Sequence, residues 1–212
     1  MTEIIFASSW VGPDGIQPDA TKLTAVINWC QPLDLLNLSC FLGLTGYFQD
    51  LVKGYAKITR LLTDLVHSVS IPKMAGKAVY QDALSKVKLT NIWNSSCKSM
   101  FLKLKEVLTS EPVLKVPHFD GTLFIVTSDG CQEDFGAMLT QCFTGTQPSG
   151  KIIRKLHPIA YASKCTSKSE SHYKLFLLEL TALKFVLDKF NSIVWSFPVK
   201  IETDCQALQD VL

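Results

Sequence analysis

The sequence predicts an α/β (α+β) protein in which a small helical region precedes a mixed-sheet domain. Up to residue 108, apolar positions recur mostly at the 3.6-residue spacing of helices, between breaks at prolines and glycines. Beyond Pro117 they form short β-rich runs, interrupted by turn residues and by one long helical segment. We therefore divide the chain into residues 1–66, 67–118 and 119–212.

The first region is predicted to hold one strand and three helices. An apolar start ends in a Gly-Pro-Asp-Gly turn sequence. Asp19 can cap a helix over about 22–29, and Asp34 can cap a second helix that contains two glycines. A third helix follows over 55–66. Residues 67–92 carry little pattern and are interpreted as a loop with weak helical tendency.

An amphipathic helix over 96–108 leads into the second domain. There, three β-rich runs are followed by a helix that is apolar nearly all round, a fourth strand and the start of another helix. A polar hairpin loop, TGTQPSGK, joins the second and third strands. The apolar helix is expected to pack on more than one face. These strands are predicted at 123–129, 136–143, 156–163 and 198–204, and the long helix at about 170–190.

Composition places the chain among globular, intracellular proteins of the cytoplasm or nucleus. Hydrophobic residues make up 47% and charged residues 19%, and neither a membrane-length apolar run nor a secretion signal occurs. The seven scattered cysteines form no CxxC pair, so we expect reduced and mostly buried thiols. A zinc or redox protein ranks far behind.

Charge is distributed unevenly along the chain. One lysine and five acidic residues give 1–52 a net charge of −4, whereas 53–115 carries +7 and 116–212 carries −1. The basic middle could face nucleic-acid phosphates, or it could be an ordinary solvated helical surface. The residues predicted to contact nucleic acid are Lys53, Lys57, Arg60, Lys98, Lys103 and Lys105.

Three carboxylates stand in apolar surroundings. Asp129 and Asp204 each end an apolar strand, and Glu179 is the only acidic residue between 172 and 186 of the long helix. If the two strands are neighbours and the helix crosses them, the three side chains meet at one edge of the sheet. Such a cluster can hold two Mg²⁺ or Mn²⁺ ions for nucleic-acid hydrolysis. Taken singly, each residue could equally be a turn former or a solvated helical side chain.

An ordered set of blocks then resembles the Pol polyprotein of gypsy-type LTR retrotransposons. The blocks are FLGLTGYF (41–48), YAKITRLLTDL (55–65), CKSMFLKLKEVLTSEPVLKVPHFD (97–120), TSDG, GAMLTQ, PIAYASK, HYKLFLLELTAL and IETDCQAL. The resemblance implies that 1–66 is the end of a reverse transcriptase palm and its thumb, that 67–118 is a helical connection, and that 119–212 is an RNase H-like domain. It also implies that Asp129, Glu179 and Asp204 bind the catalytic metal ions and that the substrate is an RNA–DNA hybrid.

The chain also departs from that family. It lacks the polymerase's YxDD motif, it ends before the region of the family's fourth carboxylate, and Asp134 stands where the family often has glycine. We therefore expect a truncated, C-terminally incomplete copy that does not polymerise DNA. Two hypotheses stay open: a metal-dependent endonuclease, and an inactive relic that at most binds nucleic acid.

Overall fold

The computed structural model describes residues 4–6, 9–12, 15–69, 76–110, 114–146 and 151–209. The chain packs into two compact units, one formed by residues 1–17, 49–57 and 113–212 and the other by 18–48 and 58–112. Packing thus divides the chain differently from the predicted segments 1–66, 67–118 and 119–212, which stay a prediction about domain ancestry.

The chain begins with a three-stranded sheet, where a single strand was expected. Its strands are β1 (Ile4–Phe6), β2 (Ser9–Gly12) and β3 (Gly15–Pro18), hydrogen-bonded in that order. Gly15 has a φ of 135°, which a residue with a side chain rarely adopts. Pro13 and Asp14, on which the predicted turn depends, lie outside the described residues.

Five helices follow, and four of them confirm the sequence prediction. Asp19 caps α1 (Ala20–Asn28) by accepting a 2.9 Å hydrogen bond from the Thr21 amide. Asp34 caps α2 (Leu35–Gly46) by accepting a hydrogen bond from the Asn37 backbone amide. The other three are α3 (Tyr55–His67), α4 (Lys77–Lys86) and α5 (Ser95–Thr109).

Helix α4 lies in the segment that was interpreted as a loop. Only Leu84 among its residues is buried, so the helix has no apolar stripe that a periodicity search would detect. Its contacts with α2 and the neighbouring backbone bonds hold it in place: Leu35 donates to the Val87 carbonyl and Leu89 donates to the Leu33 carbonyl. The core of this helical unit includes Leu38, Phe41, Leu62, Leu84, Phe101 and Leu104, all at most 4% exposed.

The other unit is built on a four-stranded mixed sheet, as the sequence predicts. Its strands are β4 (Phe124–Gly130), β5 (Asp134–Thr146), β6 (Ile152–Cys165) and β7 (Val199–Glu202), in the order β6-β5-β4-β7. β4 pairs antiparallel with β5 and parallel with β7. Helix α6 (Leu175–Val194) connects the two edge strands, and the short α7 (Gln206–Gln209) follows β7.

Helix α6 packs on the sheet through one face only. Val186, Phe190 and Val194 meet Phe124 and Val126 of β4 in a shared core. The expectation that α6 packs on more than one face is wrong for the described residues, because Leu175 is 69% exposed and its neighbours at 176, 177 and 180 are 41–42% exposed. The buried face nevertheless includes Glu179, as the sequence suggested.

Two other expectations meet different outcomes. No helix within the described ranges is long and apolar enough to cross a membrane. The seven cysteines form no disulfide with one another, but the expectation that they are mostly buried is wrong. Only Cys97 is buried, whereas Cys30, Cys40 and Cys131 are exposed.

Candidate active site

The parallel pairing of β4 with β7 brings two of the three predicted carboxylates to one edge of the sheet. The last residue pair of the two strands is Thr127–Glu202. Asp129 lies two residues after Thr127, and Asp204 lies two residues after Glu202. Adjacent strands are about 4.8 Å apart, so equal offsets beyond a paired position keep two residues close. Both aspartates are exposed.

Glu179 reaches the same edge from helix α6, where it is the fifth residue. It is only 4% exposed, and its Oε2 atom is buried without a hydrogen-bond partner among the described residues. Buried polar atoms of native proteins are nearly always hydrogen-bonded or bound to a ligand. This oxygen therefore marks Glu179 as a candidate ligand.

Gly130 allows α6 to lie directly against the end of β4. A Cβ atom at this position would be 2.8 Å from the Leu178 carbonyl oxygen and 2.9 Å from the Ala182 Cβ, both shorter than contacts that real side chains make. The Gly130 backbone amide also favours the ionised form of the Glu179 carboxylate and so acts to lower its pKa. Sequence reasoning did not single out Gly130; the only available signal was its place directly after Asp129.

The electrostatics connect Glu179 with both aspartates. Burial raises the pKa of the Glu179 carboxyl, the negative charge of Asp204 raises it further, and that of Asp129 adds to the same effect. The backbone amide of Gly130 acts in the opposite direction. Burial and the negative charges of both aspartates therefore disfavour the ionised form of Glu179 together.

The carboxylate oxygens do not converge on one point. Within the described part of the chain, no three His, Cys, Asp or Glu side chains are arranged so that they could hold a metal ion together. The pleat explains part of this, since Ser128 and Gly130 are buried and Asp129 points to the opposite, exposed side of β4. The donor set still suits a hard divalent cation, because it consists of carboxylates and includes the unpartnered oxygen of Glu179.

The six basic residues predicted to contact nucleic acid are split between the two units. Lys53 and Lys57 belong to the unit that contains the four-stranded sheet, and the other four belong to the helical unit. Five of the six are exposed. Lys105 is only partly exposed, since its ammonium donates a 2.9 Å hydrogen bond to the Trp29 carbonyl and lies 5.3 Å from the centre of the Phe101 ring. Their role in binding stays a prediction.

Comparison with known protein families identifies the class of domain. The family described as the RNase H-like domain found in reverse transcriptase matches residues 93–201, just over half of the chain. The chain belongs to this family. The match includes Asp129 and Glu179, and it begins inside the segment 67–118 that the sequence assigned to a connection.

Relatives of this RNase H-like protein include retrotransposon polyproteins, as the motifs indicated. The chain is 28% identical over 208 residues to the retrovirus-related Pol polyprotein from transposon opus of Drosophila melanogaster, covering 98% of this chain and 19% of that protein. It is also 28% identical over 202 residues to the polyprotein from transposon gypsy of the same organism, covering 93% of this chain and 17% of that protein. The chain thus spans about a fifth of the length of these relatives.

A solved structure supports the fold. The foamy viral protease-reverse transcriptase in complex with an RNA/DNA hybrid superimposes with a TM-score of 0.73. The superposition covers 98% of this chain and 25% of that chain, at 16% sequence identity. At that level of identity, the likeness establishes the fold alone.

Proposed function

We propose that this chain supplies the RNase H centre of a retrotransposon Pol polyprotein, which hydrolyses the RNA strand of RNA–DNA hybrids. In this proposal Asp129, Glu179 and Asp204 hold two Mg²⁺ or Mn²⁺ ions. One observation carries it: Glu179 is buried with an unpartnered oxygen, and the charges of Asp204 and Asp129 raise its pKa. Burying such a group is costly unless a cation compensates it.

The chain's own residues have separate roles in this mechanism. The parallel strands β4 and β7 hold Asp129 and Asp204 at the sheet edge, and Gly130 allows the helix that carries Glu179 to lie against β4. A bound cation would stabilise the ionised form of Glu179, because nearby positive charge lowers the pKa of a carboxyl group. When bound, two divalent ions supply an activated water and stabilise the leaving oxygen. The exposed aspartates leave the site open to a substrate phosphate.

A solved structure of the same fold supports the proposed substrate. A foamy viral protein of the same fold has been solved with an RNA/DNA hybrid. Phosphate contacts would come from exposed basic residues, of which Lys53, Lys57, Arg60, Lys98 and Lys103 are candidates. Cysteines that form no disulfide suit the reducing cytoplasm or nucleus, where we place the protein.

A cleavage assay on a hybrid with labelled RNA tests the activity. The wild-type chain should cut the RNA in the presence of Mg²⁺, and Asp129→Asn should abolish cutting while circular dichroism shows an unchanged fold. Mg²⁺ should also raise the melting temperature of the wild type more than that of the variant, because a ligand that binds only the folded state stabilises it. A folded wild-type protein that neither cleaves nor responds to Mg²⁺ would refute the proposal.

A second candidate is a nucleic-acid-binding protein without chemistry. The observation that favours it is that the carboxylate oxygens of the described residues do not converge. It predicts salt-dependent affinity for the hybrid, no turnover, and a melting temperature that Mg²⁺ leaves unchanged.

A further inference from the structure

The two longest strands extend beyond the rest of the sheet as a ribbon. The last residue of β5 that pairs with β4 is Gln141, whereas β5 and β6 continue to pair with each other as far as Thr146 and Ile152. We call residues 142–146 and 151–156 the β5–β6 arm. Its five paired residues per strand beyond Gln141, 142–146 and 152–156, span about 17 Å.

The arm carries positive charge, and no acidic residue lies near it in the sequence. Lys151, Arg154 and Lys155 are all exposed, and the sequence holds no Asp or Glu from residue 135 to 169. Within the described part of the chain, these three side chains form no ion pair or hydrogen bond.

Other lysines of the same unit behave differently. Lys184 pairs with Asp188 at 2.6 Å, and Lys189 pairs with Asp50 at 3.1 Å. An unpaired cation on an exposed ribbon can exchange its small counterions for phosphates without breaking an internal contact. The charge of the arm is therefore available to an external anion.

The base of the arm is held firmly. The Gln141 side chain is fully buried; it accepts a 2.8 Å hydrogen bond from the His118 amide and donates to the His118 and Thr122 carbonyls at 2.8 and 3.0 Å. The Phe143 ring lies 4.7 Å from the His118 ring and 5.5 Å from the His157 ring, centre to centre. A ligand would meet a ribbon whose foundation is already ordered, so little conformational entropy is lost on binding.

We propose that the β5–β6 arm binds the sugar–phosphate backbone of a nucleic-acid duplex, without regard to its sequence. Gly136, the partner of Asp129, lies six residues before the arm on β5, a distance of about 20 Å along the strand, which equals about six base pairs of duplex. The arm would thus contact the duplex well away from the carboxylates. The inference shares its ligand with the proposed function but requires no cleavage.

Two other uses of the arm are possible outcomes of a test. Lysines on exposed edge strands can serve only to prevent strand pairing between molecules. Ile152 and Leu156, which are 67% and 54% exposed, could instead insert into an anionic membrane. Exposed positive charge that forms no ion pair with the described residues favours the polyanionic duplex over both.

The test measures the affinity of the full chain for a fluorescent 18-base-pair RNA–DNA hybrid in EDTA, over a series of salt concentrations. Arg154→Gln with Lys155→Gln should weaken binding about tenfold at low salt and reduce the slope of log affinity against log salt by about 2. The matched control, Lys184→Gln with Lys189→Gln, removes the same charge from paired lysines and should change affinity less than about twofold. Arg154→Lys with Lys155→Arg should retain wild-type affinity, and an unrelated hybrid sequence should give the same losses.

Equal behaviour of the arm variant and its control would overturn the inference, as would no measurable binding by the wild type. The inference would also be overturned if the arm variant lost binding to phosphatidylserine vesicles but kept the wild-type affinity for the hybrid. Failure of the nuclease proposal is distinguishable, since it appears as absent cleavage with Mg²⁺ while the effect of the arm on affinity persists.

Discussion

Two glutamates only nine residues apart, Glu170 and Glu179, have opposite environments. Glu170, in the turn before α6, accepts 2.7 Å hydrogen bonds from the Lys164 ammonium and the Ser167 amide, and these lower its pKa to about 2. Burial, together with the negative charges of Asp204 and Asp129, raises the pKa of Glu179. The first carboxylate is fully satisfied by its surroundings and stabilises the fold. The second is left unsatisfied, as expected of a group that waits for a ligand.

The largest expected effect is the loss of cleavage in Glu179→Gln. Removing one ligand charge should reduce hybrid cleavage on the order of a thousandfold. The same change should raise the melting temperature at pH 7, because it removes a buried like-charge interaction. Glu170→Gln, the matched control, should keep its cleavage and lose stability. If Glu179→Gln lowers the melting temperature while preserving cleavage, Glu179 is a structural residue.

The next effect concerns how closely α6 approaches β4. Gly130→Ala places a Cβ atom against the Leu178 carbonyl, so α6 must shift, and we expect a loss of about 1–3 kcal/mol in unfolding free energy together with a loss of cleavage. Gly136→Ala is the control, since it lies opposite Asp129 in β5 and a Cβ atom there meets nothing within 4 Å. Urea unfolding of both variants measures the difference. Equal stabilities would show that the contact at Gly130 is easily relaxed.

The smallest effect is the contribution of Glu170 to stability and its pH dependence. Glu170→Gln should cost about 1–2 kcal/mol at pH 7, allowing for the partial exposure of Lys164. Because the folded pKa is depressed to about 2, this contribution is present above the unfolded value near 4.5 and is lost as the pH falls toward 2. Unfolding free energies measured from pH 7 to 2 should therefore converge for wild type and variant.

Glu179 should give the opposite pH dependence. Its raised folded pKa means that the associated stability is present below pH 4.5 and is lost as the pH rises through the folded value. The difference between wild type and Glu179→Gln should therefore widen with rising pH. A difference that narrows instead would contradict the direction of the shift.

Features set by local chemistry could be predicted from the sequence. Asp19 and Asp34 were recognisable as helix N-caps because each is a short side chain that accepts hydrogen bonds and lies directly before a helical pattern of apolar residues. The four strands of the mixed sheet and the burial of Glu179 followed from periodicity and from an isolated charge among leucines. Helix α4 escaped prediction because a single buried leucine leaves no periodic signal.

Features set by long-range contacts could not be predicted. Nothing local to β4 or β7 indicates that they pair in parallel, since two strands and a helix separate them along the chain. Steric contact at Gly130 and the inward direction of Lys105 likewise depend on partners far away in sequence. From the sequence, the three carboxylates could be expected to meet only if β4 and β7 were neighbours. The metal cluster itself stays a prediction.

The short parallel ladder between β4 and β7 has a consequence for how the proposed nuclease activity would be acquired. Only four residue pairs define its alignment, and sliding β7 by a single position would turn Asp204 to the other side of the sheet. The specific nuclease activity of a refolded sample would then report the fraction of molecules in which β7 pairs with β4 in the correct register. Bulk measurements of secondary structure do not distinguish these molecules from misaligned ones.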